Sequence, residues 1–163
     1  MRKNFGAKPY TYPQPVFMLA TYGEDGTPDV MNAAWGGISE GNELSLCISA
    51  GHKTTKNFLA RQAFTVSMAD VAHMAACDYV GIVSANTVAN KFEKAGFHAV
   101  KSEFVDAPLI EELPIAVECR VKSYDKDTCR LVGEIVNVSV DERVLNEQGQ
   151  VDVAKAQPIT FDP

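Results

Sequence analysis

Three segments of the sequence carry residue types whose spacing suits ligand binding. In the first, the small residues of Asn32–Ala34 lead through Trp35 into a glycine pair, Gly36–Gly37. Small side chains let a flat ligand approach the backbone, where amide N–H groups meet ring heteroatoms. The alternative is a strand that ends at a glycine turn, with Trp35 packed in the core as most strand aromatics are.

The second segment joins a predicted strand to a helix start that is rich in hydroxyl and basic groups. Ser49 ends the strand, a Gly-containing loop follows, and Lys53 and Thr54 come at the beginning of the helix. Unpaired N–H groups at a helix start, the helix dipole and a nearby cation together suit a phosphate group. The alternative is a capped surface helix with solvated lysines, and the residues alone do not separate the two.

The third segment is a short apolar run bounded by polar residues, Asp78 to Asn86, which is followed by the helical stretch Lys91–Gly96. Its residue types do not by themselves indicate a chemistry. A lysine on a helix, such as Lys91, is more often solvated than bound to a ligand.

Motifs typical of other enzyme classes are absent from the sequence. The histidines have no metal-ligand spacing, and there is no H-E-x-x-H motif or paired-carboxylate pattern. There is also no G-x-S-x-G turn and no G-x-G-x-x-G motif after a strand, so hydrolase and Rossmann folds have no support. We therefore predict no metal site.

The four cysteines are scattered, without a C-x-x-C pair. This spacing favours a reduced interior over a disulfide framework and predicts a cytoplasmic protein. We expect most of the cysteines to be small core residues. Cys47 is the exception, because period-two alternation places it on the same face as Ser49, and a redox role for it is an alternative.

Length and charge bound the class of protein. The 163 residues are predicted to form a single domain, 1–163, without a repeat or a linker. A formal net charge of −6 disfavours nucleic acid as a partner, since phosphate backbones attract clustered Lys and Arg. No apolar stretch approaches the roughly 20 residues that cross a bilayer, and the N-terminus lacks the apolar run of a secretory signal, so we expect no membrane partner.

Hydrophobic periodicity predicts mostly β-strands. Glu43–Ser49 alternates with period two, which places Leu44, Leu46 and Ile48 on one face. The other predicted strands are Val16–Tyr22, Val30–Trp35 ending at the glycine pair, Phe64–Met68, and a long hairpin of Ile115–Tyr124 and Cys129–Val140.

Capping residues predict short helices between these strands. Thr54 or Thr55 caps the first, which runs to Arg61 with Phe58 and Leu59 on its buried side. The second begins at Asp70 and runs to about Cys77, and the third runs from Asn86 to Lys94 and ends at Gly96.

This order of elements favours an antiparallel β-barrel with peripheral helices. A doubly wound parallel sheet would need a substantial helix after nearly every strand. Closing the sheet into a barrel also removes its exposed edges. The predicted fold class is therefore mainly β.

Taken in order, the three segments resemble the flavin reductase-like family, the FMN-binding split barrels that include flavoredoxins. The resemblance runs over nearly the whole chain, from Phe5 to Pro158. No single motif is specific, but the ordered set is. It comprises Pro15-Val16, Asp25-Gly26-Thr27-Pro28, Met31-Asn32-Ala33-Ala34-Trp35-Gly36, His52-Lys53-Thr54 with Asn57, Gly81-Ile82-Val83-Ser84 with Lys91-Phe92, Ala107-Pro108-Leu109-Ile110 and Glu118-Cys119-Arg120.

The resemblance implies an antiparallel, Greek-key-like split barrel that holds FMN at the interface of a homodimer. The flavin ring would lie against the backbone of Asn32, Ala33, Ala34 and Trp35. No catalytic residue is implied, because the cofactor carries the electrons. The phosphate would lie near Ser49, Lys53, Thr54 and Asn57, and Ser84 and Lys91 would help close the pocket from the second subunit.

Three functions agree with this resemblance. The first is an NAD(P)H-dependent flavin reductase, or a close relative that passes electrons from bound FMN. The second is an electron carrier of the flavoredoxin kind, which keeps FMN tightly bound and exchanges electrons with a partner protein. The third is a barrel that binds flavin without turnover.

Overall fold

The computed structural model describes residues 1–162. It is mainly β, with short helices inserted between the strands. The helices are α1 (Lys53–Arg61), α2 (Met74–Ile82), α3 (Lys91–Lys94), α4 (Val153–Ala156) and a 3-10 turn at Glu142–Val144. The strands are β1 (Gln14–Pro15), β2 (Phe17–Tyr22), β3 (Pro28–Ala33), β4 (Gly36–Glu40), β5 (Glu43–Cys47), β6 (Ala63–Met68), β7 (Ala99–Lys101), β8 (Pro108–Ile110), β9 (Ile115–Asp125), β10 (Arg130–Val140) and β11 (Thr160–Phe161).

Seven strands form one antiparallel sheet in the order β3-β2-β6-β9-β10-β5-β4. β3 and β4 lie at opposite ends of this order, yet only Ala34 and Trp35 separate them in the sequence. In a flat sheet the two strands would be about 29 Å apart, at roughly 4.8 Å per strand spacing. The three Cα steps from Ala33 to Gly36 span about 11 Å at most. The sheet must therefore curl until β3 and β4 approach each other, and this confirms the predicted barrel; we call the gap between them the split.

Both faces of β2 are buried, each against a different hydrophobic cluster. Met18 and Ala20 pack with residues of α2 and α3, whereas Leu19 packs inside the curled sheet. Because neither face meets solvent, the strand is a continuous apolar run rather than an alternating one. The cluster inside the sheet also contains Leu44, Leu46, Ile48, Phe58, Phe64, Val66, Cys119 and Leu131.

The period-two pattern of β5 and the long hairpin are both confirmed. Leu44, Leu46 and Ile48 are buried, while Cys47 is exposed. β9 and β10 pair along their length, with irregularities between Val132 and Gly133 and between Ile135 and Asn137.

The glycine pair does not end a strand as predicted. β3 already ends at Ala33, and Gly36 and Gly37 begin β4. A Cβ atom at Gly36 would overlap the Leu46 side chain and lie 2.6 Å from the Ser45 carbonyl oxygen. Glycine is therefore needed here because two strand backbones approach closely, not because a turn occurs.

The predicted helix starts are wrong in three places, and the predicted burial of Leu59 is wrong. His52 is the residue before α1, so Thr54 and Thr55 lie inside its first turn, and Leu59 is exposed rather than buried.

The second helix, α2, begins at Met74 rather than at Asp70 and continues past Cys77 to Ile82; Asp70 accepts a hydrogen bond from the His73 N–H in the turn before it. The third helix covers only Lys91–Lys94, because residues 84–90 form turns instead. Hydrogen bonds to the Ser84 carbonyl from the backbone N–H of residues 87 and 88 stabilise those turns.

Substitution of Gly133 tests the packing inside the sheet. A Cβ atom there would overlap the ring of Phe64, which is fully buried. We expect Gly133→Ala to lower the free energy of unfolding by about 2 kcal/mol, since overpacking a filled core forces side chains out of place. Urea denaturation measures the change.

Gly41→Ala is the matched control, because a Cβ atom at Gly41 meets no described residue within 4 Å. Equal stability of the two variants would contradict the packing described for β10.

Candidate functional site

The first segment lines a cleft of about 510 Å³ beside the split. Asn32, Ala33 and Ala34 line it, together with Met74, Ala75, Cys77 and Asp78 from the first half of α2. Val16 and residues 159–161 complete the lining. Apart from Asp78, the lining is free of charged side chains among the described residues, so the cleft suits a neutral, flat group.

Trp35 is not a core residue. Its side chain is 56% exposed and lines a neighbouring groove rather than the cleft itself. The interpretation of Trp35 as core filling is therefore wrong. The reason is the short connection between β3 and β4, which leaves this position at the rim of the split.

Contact with α2 fixes the position of the Asn32 side chain. Asn32 Nδ2 donates a hydrogen bond of 3.4 Å to the carbonyl oxygen of Cys77. One turn further along α2, Gly81 leaves the space that the Asn32 amide occupies, and a Cβ atom there would overlap it. The amide is therefore held at the junction between the two halves of α2.

Cys77 also lines the cleft, but it is not a nucleophile. Burial, together with the nearby Asp70 carboxylate, raises the pKa of its thiol to about 12. The thiol therefore stays protonated at neutral pH, and only a thiolate reacts readily.

The second segment forms the start of α1, where hydroxyl groups bind other parts of the protein. Thr54 Oγ1 donates a 2.8 Å hydrogen bond to Asp29 Oδ2, and Thr55 Oγ1 donates one of 2.8 Å to the Ser49 carbonyl. Asn57 Nδ2 donates to Thr21 Oγ1 at 3.1 Å. These contacts hold α1 against β2 and β3, while the first N–H groups of the helix have no partner within the helix itself.

Lys91 is buried, in contrast to the solvated side chain that its position on a helix suggested. Its Nζ donates hydrogen bonds of 3.0 Å to the carbonyl oxygens of Val80 and Val83 at the end of α2. The same atom lies 3.5 Å from Asp29 Oδ1. Desolvation lowers the pKa of Lys91, and the Asp29 carboxylate opposes that shift.

A second pocket, of about 240 Å³, lies at the other half of α2 and brings together four of the predicted site residues. Ser84 belongs to the loop of residues 84–90, which is joined to the α1 side by a 3.1 Å hydrogen bond from Asn86 Nδ2 to the Gly51 carbonyl. Asn57 lines an adjoining pocket of about 210 Å³, and Ser49 lines neither. The four residues in the second pocket are Lys53, Thr54, Ser84 and Lys91.

Sequence reasoning missed Asp29, which both of these smaller pockets share. Its carboxylate joins Thr54 of α1 to Lys91 of α3. Asp29 follows a hairpin turn, and nothing in its local sequence distinguishes it from a solvated turn residue. Only the fold brings its partners together.

The flavin reductase like domain model matches residues 10–156. The chain belongs to the flavin reductase-like family. Membership supports flavin binding and a redox role, and it confirms the resemblance read from the ordered motifs.

Solved structures show the same fold over the whole chain. Flavoredoxin of Desulfovibrio vulgaris (Miyazaki F) matches with 35% identity and a TM-score of 0.94, covering 100% of this chain and 89% of that one. Flavoredoxin from Methanosarcina acetivorans matches with 25% identity and a TM-score of 0.87, covering 99% and 86%. An uncharacterized protein of Aquifex aeolicus (strain VF5) is 28% identical in an alignment of 156 residues that covers 90% of this chain and 79% of that protein.

Across residues 1–162, every helix is too short or too polar to cross a membrane.

Substitution of Asp29 or Lys91 tests whether their ion pair stabilises the second pocket. Asp29→Asn should lower the free energy of unfolding by about 3 kcal/mol, because it leaves a buried ammonium group without its carboxylate. A double-mutant cycle with Lys91→Met should show that the two losses do not add. Urea denaturation of the four proteins measures both effects.

The pH dependence of this loss has a defined sign. Lys91 has a lowered pKa in the folded protein, so the unfolded chain binds more protons between that pKa and the usual 10.5. Without the Asp29 carboxylate, nothing opposes the lowering of the Lys91 pKa, so the ammonium group of the variant loses its proton at a lower pH. The loss in free energy of unfolding caused by Asp29→Asn should therefore shrink as pH rises toward 10.5. Glu43→Gln, which breaks the ion pair with Lys122 at the surface, is the control and should lower the free energy of unfolding by less than about 1 kcal/mol. If the losses of Asp29→Asn and Lys91→Met simply add in the double mutant, the two side chains are not coupled.

Proposed function

We propose that the chain binds FMN in the cleft and the second pocket and works as an oxidoreductase that passes electrons through it. The observation that supports this most strongly is the arrangement along α2. A weakly charged cleft lies at one half of the helix, and a pocket lined by Lys53, Thr54 and Lys91 lies at the other half. The flavin ring would occupy the cleft and the phosphate would lie at the start of α1.

The residues present fit both ends of FMN. Asn32 lines the cleft with its amide held against α2, and the small side chains of Ala33 and Ala34 would let a ring approach the backbone there. Lys53 supplies a half-buried cation beside the first N–H groups of α1, which favour a phosphate. Bound FMN would supply electron transfer, and the chain would bind it, orient it and limit its exposure to water.

We further propose that the working form is a homodimer. The cleft is open on one side, whereas a flat cofactor needs walls on both. Apolar side chains also remain exposed beside the split, including Trp35 in the β3–β4 connection and Ile38 on β4. A second copy of the chain that packs on this surface would bury these side chains and complete the site. A cytoplasmic location stays a prediction from the cysteine pattern.

NAD(P)H is the electron donor that we propose first. A second candidate function, an electron carrier with tightly bound FMN and a redox partner protein, is favoured by the 35% identity to a flavoredoxin over the full chain. The two differ in whether a reduced nicotinamide reduces the bound flavin rapidly.

Substitution of Lys53 tests the proposed position of the FMN phosphate. Lys53→Ala should weaken FMN about tenfold while changing riboflavin little, because riboflavin has no phosphate for the ammonium group to contact. Titration followed by flavin fluorescence measures both affinities. Lys56→Ala, on the exposed side of the same helix, is the control; equal losses of FMN and riboflavin in Lys53→Ala would overturn the assignment.

The proposed electron donor, NADH or NADPH, is tested by adding it to the FMN-loaded protein in the absence of oxygen. We expect NADH or NADPH to bleach the visible flavin band within seconds. Bleaching by dithionite alone would contradict nicotinamide as the donor and would favour the electron carrier. Free FMN with the same nicotinamide is the control for reaction in solution.

A further inference from the structure

A small pocket adjoins the proposed phosphate position and has no part in the function proposed above. It is the pocket of about 210 Å³ that contains Asn57, and we call it the adjoining pocket. Asp29, Lys53, Ala85 and Lys91 line both this pocket and the second pocket. A group that continues beyond a phosphate in the second pocket would therefore extend into this space.

Contacts with α1, or with the residues that lead into it, hold two walls of the adjoining pocket. One wall is the loop of residues 84–90, which the side chain of Asn86 joins to the Gly51 carbonyl. The other is the turn between β2 and β3. There the Arg61 guanidinium group donates hydrogen bonds of 2.7 and 3.1 Å to the Gly23 carbonyl and one of 3.0 Å to the Glu24 carbonyl. These contacts oppose a widening of the pocket.

The volume of the adjoining pocket limits what can enter it. Pockets that enclose a drug-sized molecule have volumes of about 300–1,000 Å³, and an adenosine monophosphate group is of that size. The adjoining pocket has only about 210 Å³. An adenylate group could enter only by displacing the loop of residues 84–90 or the β2–β3 turn, and both are held by hydrogen bonds.

The adjoining pocket also contains a carboxylate that is absent from the second pocket. Asp25 lines the adjoining pocket but not the second pocket. Its carboxylate lies over Gly23 on the side of Asn57, since a Cβ atom at Gly23 would be 2.8 Å from Asp25 Oδ1 and 3.8 Å from Asn57 Oδ1. A hydrogen bond from the Thr27 N–H lowers the pKa of Asp25, and the Lys53 ammonium group acts in the same direction. Asp25 is therefore ionised at neutral pH.

The two pockets thus differ in charge. A phosphate in the second pocket would lie beside the ammonium groups of Lys53 and Lys91. A second phosphate attached to it would enter the adjoining pocket beside Asp25, where like charges repel.

We propose that Asp25 and the adjoining pocket exclude the second phosphate of FAD and so restrict the cofactor to a flavin mononucleotide. FAD carries the same ring and first phosphate as FMN, followed by a second phosphate and adenosine. The continuation would meet a carboxylate in a space that is too small for it. This inference rests on the proposed function, because it requires the FMN phosphate to lie at the start of α1.

Calorimetric titration of the full-length chain with FMN, FAD and riboflavin measures this selection. We expect FMN to bind at least about tenfold more tightly than FAD. Asp25→Asn keeps an acceptor for the Thr27 N–H and removes only the charge. It should raise the affinity for FAD about threefold relative to FMN, the size expected for exposed charges, and leave riboflavin unchanged. Asp127→Asn, in the turn between β9 and β10, is the matched control and should keep the native ratio.

Salt separates the charge of Asp25 from the size of the pocket. At about 1 M NaCl the screening length is about 3 Å, so the difference between the native and Asp25→Asn proteins should vanish. Asn86→Ala releases the loop from Gly51 and should also favour FAD relative to FMN, but through added room, so its gain should persist in salt.

Equal affinities of the native chain for FMN and FAD would overturn the proposal, as would a native ratio in Asp25→Asn. A gain in Asp25→Asn that persists at high salt would overturn charge repulsion as the cause. Failure of the native chain to bind FMN at all would overturn the proposed function as well, so the two failures are distinguishable.

Discussion

The two-residue connection between β3 and β4 determines how the seven-stranded sheet closes. It joins the two ends of a seven-stranded sheet through Ala34 and Trp35 alone. The sheet has to curl, and the connection has to lie at the point where its ends approach. The segment with small side chains that suits a flat ligand is therefore placed where the two ends of the sheet meet. Closure of the sheet and formation of the cleft have the same cause.

Polar contacts between distant segments hold the helices around this opening. Asp29 binds Thr54 and lies beside Lys91, so one carboxylate connects β3, the start of α1 and the short α3. Lys91 also binds the carbonyl groups at the end of α2. These contacts are buried or partly buried, and losing one partner leaves another unpaired. The phosphate side of the proposed site is thus built on a network whose members depend on one another.

The strands were predictable from the sequence, because their pattern depends on local alternation. Leu44, Leu46 and Ile48 repeat with the period of the pleat, and burial follows. The ordered motifs indicated the family because they too are short runs of sequence that can be recognised without the fold. The starts of α1 and α3, the burial of Lys91 and the role of Asp29 were not predictable. They depend on partners that are distant in sequence, and tertiary contacts override capping preference there.

Sedimentation velocity of the chain with FMN, followed at the visible absorbance of the flavin, shows whether one chain, two chains or none carry the cofactor. If the cleft and the second pocket hold FMN and a second copy completes the site, flavin absorbance will move with a species of two chains. Flavin that stays in the slow boundary of free FMN would contradict the cofactor site. Flavin that moves with a single chain would contradict the requirement for a second wall.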